Sequence, residues 1–300
     1  MKVTFLGTTC MQPTVERNHS AILIQRDDQN ILFDCGEGTQ RQLKIAGIKP
    51  TKITKICISH WHGDHVLGLP GLLSTMGANE YQGTIEIYGP KGSKKLFSYM
   101  KKAFPSLNAI KYKLTESTNP QTIKINKDIT LQTQLLKHST PCIGFALKEN
   151  DKRSINKSKL KKLKIPPGPH LAKIHQGKSI KVNNKTITAD MISTLSKGKK
   201  LAYVPDTRPC KGAQLLAKDA DLLIIESTFH SSDIAHAKKH DHMTAKESAQ
   251  LAQKANVKKL ILTHPSLRYK TTTSLLKEAK QHFKPSKNVT FAKDFLVVNV

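Results

Sequence analysis

Three histidines and one aspartate fall within six residues, His60-Trp61-His62-Gly63-Asp64-His65, in the spacing H-x-H-x-D-H. Neutral imidazole is a good donor to Zn²⁺ and similar divalent ions, and carboxylate is the natural oxygen partner. On an extended segment His60 and His62, two positions apart, point the same way. Asp64 and His65 lie past the turn and can face a second ion. A single histidine is usually a core or surface residue, but four such donors packed together are a metal signature.

Three more candidates stand further along. His138 follows Leu135-Leu136-Lys137, Asp206 follows an apolar run ending at Val204, and His264 follows Leu260 to Leu262. Each sits just past a strand-like segment, where open α/β sheets build their sites. A carboxylate among several histidines is able to bridge two metals. Two ions about 3.5–4 Å apart would clamp an in-line phosphoryl displacement and bring the pKa of bound water toward neutrality.

The elements that must position these residues alternate along the chain. The β-branched run Ile53 to Ser59 reads as the strand delivering the cluster, and Val66 to Leu73 as a turn into a buried helix ending near Gly77. Earlier, residues 2–6 read as a first strand, and Ser20 to Arg26 with Asn30 to Asp34 as a hairpin. Asp34 and Glu37 read as organisers of the tight turn that follows. Later, Leu201 to Val204, Leu222 to Ile225 and Leu260 to Leu262 read as strands. Thr244-Ala245-Lys246-Glu247 reads as a capping box opening a helix to about Ala255. His230, His236 and His240 read as loop residues. Glu226 completes the recurring pattern of an ionisable residue at each strand end, and His242, directly before the capping box, would face those ends.

Composition bounds the class of protein. The 300 residues carry a net charge of +27, and such a field attracts polyanions, although only six of the 49 basic residues are arginine, so lysine inflation is an alternative source of the charge. Five scattered cysteines with no CxxC pair argue against a disulfide framework and for a reducing interior. No signal-like segment opens the chain, and no apolar stretch nears the roughly 20 residues a membrane span needs. The expectation is a soluble, cytoplasmic protein. From Asp151 to Lys185 there are ten lysines and one arginine against a single acid. Inside this basic stretch Ile165-Pro166-Pro167-Gly168-Pro169 cannot join a sheet interior, because adjacent prolines lack donors and fix φ.

These motifs together resemble the ribonuclease Z family of the metallo-β-lactamase superfamily, and the likeness spans nearly the whole chain. It rests on H-x-H-x-D-H with His138, Asp206 and His264. It rests also on Gly7-Thr8 with Pro13 and Arg17-Asn18, on Phe33-Asp34-Cys35-Gly36-Glu37-Gly38-Thr39-Gln40, and on Asp206-Thr207-Arg208-Pro209. Glu226-Ser227-Thr228-Phe229, His242 with Thr244-Ala245, and His264-Pro265-Ser266-Leu267-Arg268-Tyr269 add to it. Pro166-Pro167-Gly168-Pro169 is similar to the family's substrate arm, which other superfamily hydrolases lack. Trp61, Val15, Pro205, Ile225 and Pro265 depart from the family pattern, and none is a ligand candidate.

The resemblance implies an α/β fold, a four-layer αββα sandwich forming one domain over residues 1–300, with residues 151–185 as an inserted, flexible basic arm. It implies that His60, His62 and His138 hold one zinc and Asp64, His65 and His264 another, with Asp206 bridging; Mn²⁺ is a possible replacement. Asp64 would orient or deprotonate the attacking water, and Glu226 would fix His242 as the acid for the leaving 3′ oxygen. Arg17, Ser266 and Arg268 would meet substrate near the cut, and Pro167, Gly168 and Pro169 would contact it in the arm. The implied substrate is precursor tRNA, losing its 3′ trailer to leave a 3′-hydroxyl on the tRNA and a 5′-phosphate on the trailer. A homodimer is implied, and no membrane. Two other readings remain at this point: a small-molecule hydrolase of the same fold, which needs the metals but not the arm, and a non-catalytic RNA-binding protein.

Overall fold

The computed structural model describes residues 1–182 and 185–300; residues 183 and 184, inside the expected arm, lie outside the described residues. In chain order the strands are β1 (Lys2–Gly7), β2 (Ala21–Arg26), β3 (Gln29–Phe33), β4 (Lys55–Cys57), β5 (Thr84–Pro90), β6 (Lys111–Ser117), β7 (Gln121–Lys124), β8 (Ile129–Leu135) and β9 (Ile143–Glu149). They continue with β10 (Lys152–Ile155), β11 (Ile180–Val182), β12 (Lys185–Ile187), β13 (Ser193–Ser196), β14 (Lys200–Val204), β15 (Leu222–Glu226), β16 (Leu260–Thr263), β17 (Val289–Phe291) and β18 (Val297–Asn299). Two seven-stranded sheets dominate, in the orders β18-β1-β2-β3-β4-β5-β6 and β17-β16-β15-β14-β9-β8-β7.

The chain separates into two compact units. The larger comprises residues 1–123, 131–147 and 200–300. Its central strands, such as β1, β2, β14, β15 and β16, are buried on both faces, as strands covered on both sides must be. Side chains alternate with period two. Leu23 and Leu32 pack outward with the helices Thr39–Ile45 and Leu69–Ala78, in a cluster with Leu43, Leu72 and Met76. Phe33, of the opposite phase to Leu32, stacks on Phe145 of β9 and Tyr203 of β14, with centroids 5.3 and 5.5 Å away. That aromatic stack is the seam between the sheets. On the far side Ala202, Val204, Leu223, Ile225, Leu260 and Leu262 pack against Ala249, Ala252, Leu275 and Ala279 of the helices Ala245–Lys254 and Thr273–His282. Helix, sheet, sheet, helix is the αββα metallo-β-lactamase sandwich.

The sequence expectations for elements around the site match closely. The capping box is present in full: the Thr244 side chain accepts from Glu247 N, and the Glu247 carboxylate accepts from Thr244 N. Helix Thr273–His282 and strands β17 and β18 were not anticipated. The strands are three residues each, too short for alternation to register.

The smaller unit comprises residues 124–130 and 148–199. It is wider than the expected arm of 151–185 and has a small core of its own. Leu160, Ile165, Ile174, Ile180, Ile187, Ala189 and Ile192 are buried together. The apolar residues scattered among the lysines are what close this core. Two hairpin-like pairs, β10 with β13 and β11 with β12, frame it. Pro167 and Pro169 are exposed, and Pro169–Leu171 forms one 3₁₀ turn.

Candidate metal centre

Every expected ligand lies at or just past a strand end. His60 and His62 follow β4, His138 follows β8, Asp206 follows β14, and His264 follows β16. Asp64 and His65 come from the single helical turn Gly63–Val66. That turn can lie against the loop after β3 because two glycines let backbone meet backbone. A Cβ on Gly36 would stand 2.4 Å from the Asp64 carbonyl oxygen, and one on Gly68 would stand 1.9 Å from the Gly36 carbonyl oxygen. His264 is held with φ at 65°, a left-handed conformation uncommon for a residue with a Cβ. His264 N donates to Thr8 O at 2.9 Å, tying that turn down.

The donors converge into two groups. His60, His62, His138 and Asp206 form one, and Asp64, His65, Asp206 and His264 form the other, with all ligand atoms of a group within 4.8 Å of one another. Asp206 belongs to both. His62 Nδ1 lies 3.1 Å from His60 Nε2 and 3.2 Å from His138 Nε2. His65 Nε2 lies 3.3 Å from His264 Nε2 and 3.5 Å from both Asp64 and Asp206 Oδ2. Ring nitrogens this close do not satisfy one another as a set; they suit a shared cation.

The far sides of the His60, His65, His138 and His264 rings support that reading. A ligating histidine normally gives its other nitrogen to a carboxylate, carbonyl or hydroxyl. Here His65 Nδ1 is 2.8 Å from Asp34 Oδ2, His60 Nδ1 is 3.0 Å from Ser59 Oγ, His138 Nδ1 is 3.1 Å from the Asp241 carbonyl, and His264 Nδ1 is 3.2 Å from Thr228 Oγ1. The near nitrogens of these four rings are left for coordination. Asp206 Oδ1 is buried with no hydrogen bond, although His264 Nε2 is 3.3 Å away. The residues present therefore fit a divalent metal site.

The electrostatics agree. Burial, then the neighbouring His65, hold His60 well below the ordinary imidazole range, and burial with His138 lowers His62. Both are thus neutral donors, as ligation requires. Burial opposes charge on His65, yet Asp206, Asp34 and Asp64 outweigh it and push its pKa well up. Burial likewise opposes ionisation of Asp64 and Asp206, and the surrounding histidines overcome it, keeping both carboxylates ionised. The carboxylate cluster demands positive charge at its centre.

Beside the donors stands a second arrangement. Glu226 is fully buried; its Oε1 accepts from Thr207 N at 2.9 Å and lies 3.0 Å from His242 Nδ1, while its Oε2 accepts from Thr228 Oγ1 at 2.6 Å. His242 Nε2 faces Asp206 Oδ2 at 4.0 Å. Burial pulls the His242 pKa down, but Glu226 and Asp206 more than offset it and hold it at about 9. The ring is therefore charged near neutrality, with Nδ1 engaged and Nε2 turned toward the donors.

Several residues here have partners that the sequence does not reveal. Asp34 does more than organise its turn: it binds His65, Ser59 Oγ at 2.9 Å and Tyr203 Oη at 2.7 Å. Thr228 links Glu226, His242 and His264. Arg208 pairs with Glu247 and reaches the His242 carbonyl, bracing the segment that carries that ring.

A cleft of about 430 Å³ opens over the donors, lined among others by Met11, Ser266, Leu267 and Arg268. Ser266 and Arg268 thus border the cleft, and Arg268 Nη1 is also 3.7 Å from Asp233. Arg17 is not among the lining residues. Its Nη1 donates to Thr8 Oγ1 and the Ala292 carbonyl, both at 2.7 Å, and the guanidinium lies over Phe291. Pro167, Gly168 and Pro169 belong to the smaller unit.

Fold and donor set define a metal-dependent hydrolase of the metallo-β-lactamase superfamily. The "Metallo-beta-lactamase superfamily" model matches residues 14–144, and a "Beta-lactamase superfamily domain" model matches residues 162–265. The chain is 38% identical over 303 residues to a ribonuclease Z of Methanothermobacter thermautotrophicus, covering 100% of this chain and 97% of that one. It is 40% identical over 305 residues to a ribonuclease Z of Archaeoglobus fulgidus, again covering 100% and 97%. Among solved structures, the short form of human tRNase Z superposes with a TM-score of 0.72 at 28% identity, covering 100% of this chain and 99% of that one. The chain belongs to the ribonuclease Z family, the metal-dependent endoribonucleases of this superfamily.

Proposed function

We infer that this protein removes the 3′ trailer from precursor tRNA, leaving a 3′-hydroxyl on the tRNA and a 5′-phosphate on the trailer. The observation that carries the reading is the pairing of two donor groups through Asp206 with the Glu226–His242 pair at their edge. His60, His62 and His138 would hold one Zn²⁺, and Asp64, His65 and His264 the other, with Asp206 shared; Mn²⁺ suits the same donors. Ions bound there would supply an acidified water and an electrophile for the phosphodiester. Asp64 would orient that water or take its proton. His242 Nε2 would give its proton to the leaving 3′ oxygen, while Glu226 holds Nδ1 and keeps the ring aimed. Ser266 and Arg268 would bind the scissile phosphate, since a guanidinium fork suits phosphate oxygens. The lysine-rich unit, with Pro167, Gly168 and Pro169, would bind the body of the tRNA.

The family likeness supports a homodimer, and five free cysteines suit a reducing, cytoplasmic setting. The deciding experiment maps both ends of one cleaved precursor tRNA, with and without chelator. Expected are a mature-side 3′-hydroxyl, a trailer 5′-phosphate, loss of cleavage on chelation, and recovery with Zn²⁺ or Mn²⁺. A 2′,3′-cyclic phosphate end, or cleavage indifferent to chelator, would overturn the reading.

A further inference from the structure

The cleft over the donors has a wall that no step above uses. His236, Lys239 and His240 line it, and all three are exposed. They come from one short stretch, the helix Ile234–Lys239 and the residue that ends it. From sequence His236 and His240 are expected in a loop. Instead the helix is folded back beside His242: His242 N donates to Ala237 O at 2.8 Å, and His240 N to His236 O at 3.0 Å. The His236 ring is stacked on Phe229 with centroids 6.3 Å apart, and Phe229 packs in turn against His242 at 6.1 Å. Among the described residues, none of the three side chains makes an ion pair or hydrogen bond. Of the acids on either side, Asp233 takes the Tyr269 hydroxyl at 2.5 Å, and Asp241 makes no ion pair with the three among the described residues.

We propose that Lys239, flanked by His236 and His240, binds the backbone phosphate on the tRNA side of the scissile linkage, immediately 5′ to the last nucleotide of the mature tRNA. The proposal rests on the function given above. In an in-line displacement the attacking and leaving oxygens lie on opposite faces of phosphorus. His242 serves the leaving 3′ oxygen, so the nucleotide that carries this oxygen lies on the His242 side of the cleft. The next phosphate along the same strand then meets the helix wrapped around His242. A lysine ammonium is a compact charge for a phosphate, and imidazole offers an N–H donor in either protonation state. Three donors with no protein acceptor suit such an anion.

The test uses the metal-loaded full chain, with Lys239→Gln as the main variant and His236→Ala/His240→Ala as a second. The ratio of kcat/KM for precursor tRNA to that for bis(p-nitrophenyl) phosphate should fall about tenfold in Lys239→Gln, the scale of one charge-assisted hydrogen bond. The second variant should move the ratio the same way by less. A precursor carrying an uncharged methylphosphonate at the phosphate 5′ to the last tRNA nucleotide then locates the interaction. On that substrate wild type and Lys239→Gln should be cut alike, whereas a methylphosphonate in the trailer should leave their difference intact. An unchanged ratio, or a difference that survives the tRNA-side methylphosphonate, would overturn the proposal. If the wild type hydrolyses the small ester yet leaves every precursor intact, the proposed function itself fails, which is a separate result.

Discussion

The strand-end site and the lysine-rich unit put their charges to opposite uses. At the site, charge is buried and tied: His60, His65, Asp206 and Glu226 are nearly or fully hidden, and the His60, His65 and His242 rings are held from behind by hydrogen bonds. In the smaller unit, Lys157, Lys159, Lys161, Lys162 and Lys164 are all exposed, and the few acids nearby are already engaged. Asp128 pairs with Lys152, Asp151 with Lys197 and Asp190 with Arg153. Buried, pre-set dipoles are what a reacting centre needs. Exposed, screened charge is what a long polyanion needs. One region should therefore fail by lost chemistry and the other by lost affinity.

The largest break should come at the shared carboxylate. Asp206→Ala removes the one residue common to both donor groups and leaves buried histidines facing each other. RNA cleavage should drop to background and bound metal per subunit should fall; a variant that keeps its metal and cleaves would remove Asp206 from the site. Next comes His242→Ala. Losing a general acid costs about 10²–10⁴-fold in rate, so precursor cleavage should slow on that scale with metal content intact. The deficit should be far smaller on a p-nitrophenyl ester, whose leaving group needs no proton. An equal deficit on both substrates, or loss of bound metal, would make His242 a structural residue or a ligand.

Much of the site was legible because strand ends announce themselves. Apolar β-branched runs ending in His, Asp or Glu gave β4, β14, β15 and β16, and the residues past those ends do converge. Depth was not legible. Asp34 has the same signature as Asp206, an apolar strand followed by an aspartate, yet it lies behind the donors and binds His65, Ser59 and Tyr203 instead. Its partners come from other elements, the loop after β4, the turn Gly63–Val66 and β14, up to 169 residues away, and only the fold brings them together. The helix Ile234–Lys239 was hidden for another reason. Of its residues only Ala237 is buried, so it carries no apolar stripe to read. The smaller unit concealed its core among lysines, where isolated isoleucines look incidental until the chain closes around them.

Asp34 sharpens the contrast between tied and untied charge. Asp34→Asn keeps the shape but weakens the acceptor that His65 and Tyr203 share. Residues of this kind typically tune metal affinity by about 10–100-fold. The expected outcome is a metal-binding isotherm shifted to that extent, with cleavage restored at high Zn²⁺. Cleavage that excess metal does not restore would place the role of Asp34 in the chemistry itself.

The smallest effect per residue belongs to the lysines. The helix Lys157–Lys162 has four of them, no acid in its first turn, and Leu160 as its buried anchor. Like charges at i,i+4, here Lys157 and Lys161, destabilise a helix by a few tenths of a kcal/mol. That standing cost is relieved when an anion binds or when a charge is removed. Changing Lys159, Lys161 and Lys162 together to Gln should therefore leave this helix as stable as before or slightly more so. It should also weaken tRNA binding and reduce the slope of log affinity against log salt by about one for each phosphate no longer neutralised. The ratio of precursor cleavage to p-nitrophenyl ester hydrolysis should fall at low tRNA concentration and recover at saturation, since the variant loses affinity rather than chemistry. A salt slope equal to that of the wild type would mean these lysines meet no phosphate, and the unit would have to bind RNA, if at all, through its exposed prolines.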